Sequence, residues 1–269
     1  MPFGVKFTAE KREVQKQDAL PLYISCLDEM LAEHGIERGS TLLVSGGCGT
    51  GKSTFAMQSV YNGIMENGEK AVYISFEEQL KKLRKHMSRH FGWDLDKLER
   101  EKKFALIKAD PFAIARSVEA YLAEQKGELL VEVQEINLPF QPDRIIIDSL
   151  SALAVAFMGN VENYRYYIRY MFEILEKYNS VNFVISETEQ DPGVYSRTGI
   201  EEFLADGVIV LYNKQEGKSR QGYLEILKLR NSAHIKKIVP FEMTARGIEI
   251  SKSKEITEAI DKMNEGQKK

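Results

Sequence analysis

The sequence has 269 residues, of which 43% are hydrophobic and 29% charged, and its formal net charge is −3. This composition is typical of a globular protein, and the near balance of acids and bases argues against a protein that holds nucleic acid by bulk charge. Two cysteines, Cys26 and Cys48, are too few for a disulfide framework and favour a reducing compartment, the cytoplasm. No apolar run approaches the ~20 residues of a membrane span, so we expect no membrane insertion.

Composition divides the chain into three predicted parts. Residues 1–20 are a polar extension without the apolar core of a signal peptide. Residues 21–252 are the predicted folded domain, and residues 253–269 are a charged helix with a frayed tail.

Strands and helices are predicted to alternate within the domain. Short runs rich in β-branched residues predict buried parallel strands at Thr41–Ser45, Ala71–Phe76, Arg144–Asp148, Val181–Ser186 and Gly207–Tyr212. Helical periodicity marks the segments Ser53–Asn67, Glu78–Phe91, Phe112–Gln125 and Asn163–Asn179. This order predicts an α/β fold with a mostly parallel twisted central sheet and helices on both faces.

The pattern changes after the fifth strand. Apolar and polar residues alternate in Tyr223–Arg230, Ile238–Thr244 and Gly247–Ser251, which predicts a C-terminal antiparallel β meander. Of the remaining segments, the apolar run Ser149–Met158 suits a buried strand and its exit, and Glu124–Pro142 is interpreted as an inserted loop or small hairpin.

A phosphate-binding loop is the most specific motif in the chain. Gly46–Ser53 fits the pattern G-x-x-x-x-G-K-[ST] in full, between a predicted strand and a predicted helix. Backbone N–H groups of such a loop surround the β-phosphate, Lys52 reaches the β- and γ-phosphates, and Ser53 Oγ suits Mg²⁺. The predicted ATP-binding residues are Gly46, Gly47, Cys48, Gly49, Thr50, Gly51, Lys52, Ser53 and Thr54.

Three carboxylates follow predicted strands and complete a candidate hydrolytic site. Asp148 ends a buried strand, where its carboxylate can face Mg²⁺ through water, so Ser53 and Asp148 are the predicted metal residues. Glu77 and Glu78 follow another strand, and either can orient or deprotonate the attacking water; alternatively, they begin the next helix as acids favoured by its dipole. Together with Lys52 they are the predicted catalytic residues. The polar end of the fourth strand, Ser186–Glu189, is either a γ-phosphate sensor or the start of a solvated loop.

The motifs together resemble a single-domain KaiC-like ATPase of the RecA superfamily. The resemblance extends from about Leu42 to Ile250. It is carried, besides the phosphate loop, by Tyr73–Glu78, Phe91–Leu95, Ile147–Leu153, Arg197–Leu211, Leu224–His234 and Pro240–Ile250. It implies a RecA-like P-loop NTPase fold, ATP hydrolysis with Mg²⁺ and a homo-oligomeric ring, usually a hexamer, that holds ATP between neighbouring subunits.

The resemblance also implies residues that act in trans. A segment near the end of the domain reaches the neighbouring subunit's nucleotide in that family, and it matches Lys228, Leu229, Arg230, Ser232 and His234 here. Lys228 and Arg230 would lie on one face of a strand and could stabilise transition-state charge. From spacing alone, the same residues would be the solvated face of an edge strand.

Two features depart from the family pattern. The entry segment Leu20–Gly39 lacks the usual glycine-rich part, although Leu27–Leu31 is retained. Glu202 and Phe203 replace the Ser-Thr pair that clock-type second domains phosphorylate, so autokinase activity is not expected.

Three functions remain as alternatives. The first is an ATP-hydrolysing ring that acts as a regulatory switch on an unidentified protein partner. The second is a weakly hydrolysing nucleotide-binding scaffold of the archaeal motility type. The third is a DNA-dependent ATPase similar to RecA or RadA, which is not favoured because the loop Lys214–Gln221 is only modestly basic. The most basic segment, Lys81–His90, is interpreted as an exposed helix face, with binding of an acidic partner or nucleic acid as the alternative.

Overall fold

The fold follows the predicted alternation of strands and helices. The computed structural model describes residues 19–77, 79–125, 138–190, 193–230 and 232–266. Its strands are β1 (Ala19–Leu20), β2 (Ile36–Glu37), β3 (Thr41–Gly46), β4 (Ala71–Ser75), β5 (Phe104–Lys108), β6 (Arg144–Asp148), β7 (Val181–Glu187), β8 (Gly207–Glu216), β9 (Ser219–Leu229), β10 (Val239–Thr244) and β11 (Gly247–Ile250). Its α-helices are α1 (Lys52–Asn67), α2 (Leu80–Phe91), α3 (Leu95–Arg100), α4 (Pro111–Gln125), α5 (Leu150–Ala156), α6 (Val161–Lys177), α7 (Glu201–Leu204) and α8 (Lys254–Gly266).

Within the described residues, nine strands form one sheet in the order β11-β10-β9-β8-β3-β7-β6-β4-β5. The six strands β8, β3, β7, β6, β4 and β5 are parallel to one another. Beyond β8, the strands β9, β10 and β11 continue the sheet as an antiparallel meander. The predicted α/β class, with its mostly parallel sheet and antiparallel C-terminal strands, is confirmed.

The sheet is covered on both faces because successive side chains of a strand point in opposite directions. In β3, Leu42 and Val44 belong to one core together with Phe55 of α1. Leu43, between them, belongs to a second core together with Ile168 of α6. Burial on both faces explains why the parallel strands are continuously apolar.

The expected strand within Ser149–Met158 is wrong, because this run forms the helix α5. Leu150, Leu153 and Phe157 are buried at positions that share one helical face. Small residues fill the intervening positions, so the run looked uniformly apolar although its large side chains follow a helical period.

Two further differences concern elements and segments. β5 and α3 were not predicted, and β5 pairs with β4 at the sheet edge. Of the predicted insertion Glu124–Pro142, residues 126–137 lie outside the described residues, as do residues 1–18 of the predicted extension. Among the described residues, no helix has both the length and the apolar composition needed to cross a membrane.

The segment before β2 contains a buried carboxylate that predicts a pH dependence of stability. Asp28 accepts hydrogen bonds from the backbone N–H groups of Leu22 (2.5 Å) and Tyr23 (2.9 Å). Burial nevertheless raises the pKa of Asp28 from 3.8 to about 6, against the lowering effects of these bonds, of Arg144 and of His34. The folded protein therefore binds this proton more tightly than the unfolded chain does.

We expect the Asp28 contribution to the free energy of unfolding to fall by about 3 kcal/mol as the pH rises from about 3 to about 7. Asp28→Asn cannot ionise and should lose this part of the pH dependence. Urea unfolding at several pH values measures it, with Asp261→Asn as the control at an exposed site. An unchanged difference in stability between Asp28→Asn and wild type across this range would contradict the assignment.

Candidate active site

The phosphate loop connects the carboxyl end of β3, the middle strand of the nine-stranded sheet, to the start of α1. Gly46 has a φ of +153°, and a Cβ atom there would lie 2.3 Å from the carbonyl oxygen of Leu211. Gly51, at φ +95°, immediately precedes the first residue of α1. Both positions therefore require glycine, and the loop directs the amino end of α1 toward any bound anion.

Lys52 occupies the interior of this loop. Its Nζ donates to the carbonyl oxygens of Gly46 (2.9 Å) and Gly47 (2.8 Å). Burial lowers the pKa of Lys52, while Glu187 and Asp148, in that order, act to raise it. The ammonium group is thus positioned where the phosphates of a nucleotide would provide a stronger, charged acceptor.

The remaining loop residues shape its surface. Thr50 Oγ1 donates to the carbonyl oxygen of Gly47 over 3.0 Å, which closes the turn. Cys48 and Gly49 are exposed at the tip, and Thr54 is buried in the first turn of α1. The exposed tip leaves the loop accessible to a ligand from solvent.

Ser53 and Asp148 come together beside the loop, as the predicted metal site requires. Ser53 Oγ donates to Asp148 Oδ2 over 2.7 Å, and the hydroxyl of Tyr73 donates to the same oxygen. One hydroxyl and one carboxylate are hard oxygen donors that suit Mg²⁺. Within the described ranges, no group of three or more His, Cys, Asp or Glu side chains could hold a metal ion. The donor set thus fits Mg²⁺ held partly by phosphate and water oxygens, rather than an ion enclosed by protein.

Glu77 follows β4, which is adjacent to β6, so Glu77 and Asp148 lie at the same carboxyl end of the sheet. Ser75 of β4 pairs with Asp148 of β6, and Glu77 follows two residues later. The buried Ser149 donates from Oγ to Glu77 Oε1 over 2.8 Å. Glu77 is exposed and oriented by this bond, whereas Glu78 lies outside the described residues.

The end of β7 brings two more polar side chains to the loop. Glu187 pairs with Gly46 in the sheet, and its N–H donates to Ser151 Oγ over 2.8 Å. Gln190 Nε2 donates to the carbonyl oxygen of Cys48 over 3.0 Å. Glu187 and Glu189 are themselves exposed, so both alternatives for Ser186–Glu189, a γ-phosphate sensor and the start of a solvated loop, stay predictions.

Lys228 and Arg230 lie at the opposite end of the sheet from the phosphate loop. Gly207 of β8 pairs with Leu42 near the start of β3 and with Leu229 on its other side. The segment therefore begins near the amino end of β3, whereas the phosphate loop follows its carboxyl end. β9 lies between β8 and β10 in the sheet, but within the described residues β10 pairs only with Gly222, Tyr223 and Leu224. Lys228 therefore lies beyond the part of β9 that β10 covers, and the alternative of a solvated strand edge stays open.

Both cations contact the carbonyl oxygens that end α7. Lys228 Nζ donates to Glu202 (3.0 Å) and Ala205 (2.6 Å). Arg230 donates to Phe203 (2.8 Å) and lies 3.6 Å from the Asp206 carboxylate. The half-exposed guanidinium of Arg230 keeps a solvent-facing side.

The other predicted trans residues are intermediate in exposure, as Lys228 is, whereas Arg230 is exposed. Leu229 is partly buried against the core that contains Phe55. Ser232 is intermediate in exposure, and its Oγ donates to the carbonyl oxygen of Ala233 over 3.4 Å. His234 forms an antiparallel backbone β-bridge with Leu31, and burial lowers the pKa of its imidazole. These contacts within the chain hold the segment to the domain.

Four side chains of the site were not predicted, namely Tyr73, Ser149, Ser151 and Gln190. Tyr73 lies within a mostly apolar strand, where nothing in the local pattern marks its hydroxyl as part of a site. Gln190 lies beyond the end of β7 in a polar loop, where nothing in the local pattern indicates contact with Cys48.

Comparison with known proteins agrees with this geometry. The family model for the KaiC ATPase matches residues 20–255. The circadian clock oscillator protein KaiC of Synechococcus elongatus is 34% identical over 223 residues, which cover 82% of this chain and 42% of that protein. The circadian clock protein KaiC3 of Synechocystis is 31% identical over 213 residues, covering 79% of this chain and 41% of that protein. The chain thus spans about two fifths of the length of these curated relatives.

A solved structure matches over nearly its whole length. The crystal structure of a KaiC-like protein from the hyperthermophilic archaeon Pyrococcus horikoshii is 32% identical, with a TM-score of 0.70. The match covers 87% of this chain and 99% of that one. With a RecA-like fold, a complete phosphate loop and these relatives, the chain belongs to the KaiC ATPase family.

Proposed function

We propose that the chain is a Mg²⁺-dependent ATPase that assembles into a ring, with each ATP held between two subunits. The observation that carries this proposal is the separation of its two sets of charged residues. Lys52, Ser53 and Asp148 converge at the carboxyl end of β3, while Arg230 lies near the amino end. From Leu42 to Gly46, β3 rises roughly 13 Å, so Arg230 is remote from the phosphate loop of its own chain.

Head-to-tail assembly gives these remote cations a ligand. A heterologous interface joins one surface of a subunit to a different surface of the next subunit. It generates a closed ring when the rotation between subunits permits closure. In such a ring, Lys228 and Arg230 of one subunit approach the phosphates held by Lys52 of the next. Both cations would then stabilise the charge that develops on the transferred phosphoryl group.

The charged and hydroxyl side chains at the phosphate loop each have a proposed role in hydrolysis. Glu77, oriented by Ser149, positions or deprotonates the attacking water. Lys52 would contact the β- and γ-phosphate oxygens, while Ser53 and Asp148 would hold Mg²⁺, Asp148 through water. Mg²⁺ would neutralise charge on the phosphate oxygens.

The biological output of this cycle is proposed to be a regulatory switch. The change between the ATP and ADP states would alter the ring and act on a protein partner in the cytoplasm. The three-part division into residues 1–20, 21–252 and 253–269 stays a prediction. Autokinase activity is not proposed, because Glu202 and Phe203 carry no hydroxyl.

ATP hydrolysis and light scattering, measured on the same preparation, test the proposal. We expect the chain to hydrolyse ATP and to form a ring, a hexamer in mass, more readily with ATP than without nucleotide. Lys52→Ala should lose both responses, because it removes the loop's phosphate contact.

Two results would contradict the proposal in different ways. A monomer under all nucleotide conditions would remove the trans role of Lys228 and Arg230. A ring that binds ATP without hydrolysing it would instead support the nucleotide-binding scaffold.

A further inference from the structure

Tyr73 places a phenol hydroxyl in the middle of a short, mostly apolar strand. The rest of β4 consists of Ala71, Val72, Ile74 and Ser75, and Tyr73 itself is fully buried. Its ring belongs to the core formed against α1. A buried phenol that only filled space would leave its hydroxyl without a hydrogen bond, at a cost in stability.

The strand register brings this hydroxyl to the metal-side carboxylate. Tyr73 pairs with Ile146 of β6, and Asp148 lies two residues further on the same face of the sheet. A rise of about 3.3 Å per residue and a strand spacing of about 4.8 Å put these diagonal neighbours roughly 8 Å apart, within reach of an aromatic side chain. The Tyr73 hydroxyl donates to Asp148 Oδ2, the oxygen that also accepts from Ser53 Oγ.

We propose that Tyr73 is a positioning residue for Asp148, acting on the metal site through that carboxylate. The inference rests on the proposed Mg²⁺-dependent function. An ionised carboxylate is only an acceptor, and two hydroxyl groups fix its orientation by donating to Oδ2. Oδ1 would then be the oxygen that faces the metal site.

The arrangement has a defined energetic role. A carboxylate without this bond can rotate about its terminal torsion, which is broad for aspartate. Ordering it at the moment of metal binding would cost affinity. Partners in the shell behind metal ligands commonly account for about 10- to 100-fold in metal affinity.

Tyr73→Phe is the variant that tests the proposal, because it removes the hydroxyl and keeps the buried ring. The readout is the affinity for a fluorescent ADP analogue as Mg²⁺ is titrated, which does not require turnover. We expect Tyr73→Phe to need about tenfold more Mg²⁺ than wild type, with unchanged ADP affinity in EDTA.

Two further variants make the measurement specific. Tyr61→Phe is the matched control, since Tyr61 lies in α1 and stacks on Trp93, away from Asp148. It should leave the Mg²⁺ requirement unchanged. In a background of Asp148→Asn, adding Tyr73→Phe should change the Mg²⁺ requirement less than about twofold, because the positioned carboxylate is gone.

The outcomes separate this inference from the proposed function. If the wild type and Asp148→Asn differ in Mg²⁺ requirement but Tyr73→Phe matches wild type, Tyr73 has a packing role and the inference is overturned. An additive effect of Tyr73→Phe in the Asp148→Asn background would overturn it as well. If wild-type ADP affinity does not respond to Mg²⁺ at all, both the metal site and the role of Tyr73 are wrong.

Discussion

Replacing Glu77 with glutamine is expected to lower ATP turnover at least about 100-fold while ATP stays bound, because the variant removes the group that receives a proton from water. Ser149 Oγ holds Glu77 Oε1 at 2.8 Å, at the sheet edge that also carries Asp148. Glutamine keeps the size of the side chain and can still accept this hydrogen bond. The measurement is kcat from phosphate release, together with ATP affinity from equilibrium binding.

Glu78→Gln provides the matched control, since it makes the same chemical change one residue further along the chain. We expect the single Glu77→Gln variant to account for most of the loss, and the double variant Glu77→Gln plus Glu78→Gln to abolish turnover. Unchanged hydrolysis in the double variant would remove both glutamates from the mechanism. A loss confined to Glu78→Gln would transfer the role to Glu78.

Replacing Arg230 with alanine is expected to lower kcat by about 1000-fold, the range found when a charge-stabilising arginine is removed from phosphoryl transfer. ATP affinity should change much less, because Arg230 is proposed to stabilise charge that develops only in the transition state. The measurement is again phosphate release compared with equilibrium binding.

Arg230 also contacts α7, so its control must separate catalysis from folding. Its guanidinium donates to the carbonyl oxygen of Phe203 and lies 3.6 Å from Asp206. Arg220→Ala is the matched variant, because Arg220 lies in β9, which Arg230 directly follows, and it also donates to a carbonyl oxygen, that of Asn213. Near wild-type turnover in Arg230→Ala, with only the melting temperature lowered, would assign Arg230 to the α7 contact alone.

Much of the fold was predictable because the central strands are buried on both faces. Each of the predicted strands, such as Arg144–Asp148, is a short and mostly apolar run that ends at a polar residue or a turn. β5 was missed because it is an edge strand whose burial alternates. Ala105 and Ile107 are less buried than Phe104 and Leu106. α5 was missed because small residues between Leu150 and Phe157 conceal its helical period.

The site was predictable where motif spacing fixes geometry and not where tertiary contacts do. The order of strand, loop and helix identified Lys52 and Ser53, and a strand-terminal carboxylate identified Asp148. The bond from Tyr73 to Asp148 depends on the pairing register of β4 with β6, which no local pattern specifies. Contact of Gln190 with the phosphate loop depends likewise on how β7 lies beside β3.

The central claim is that one active site is built from two subunits, and mixing two inactive variants tests it most directly. Glu77→Gln lacks the water-positioning group but retains Arg230, whereas Arg230→Ala has the reverse defect. In mixed rings formed from equal amounts, about one quarter of the interfaces combine the intact halves if assembly is random. We predict that hydrolysis recovers toward that fraction of wild-type activity. Activity no higher than the sum of the separate variants, in rings shown to contain both chains, would contradict a shared site.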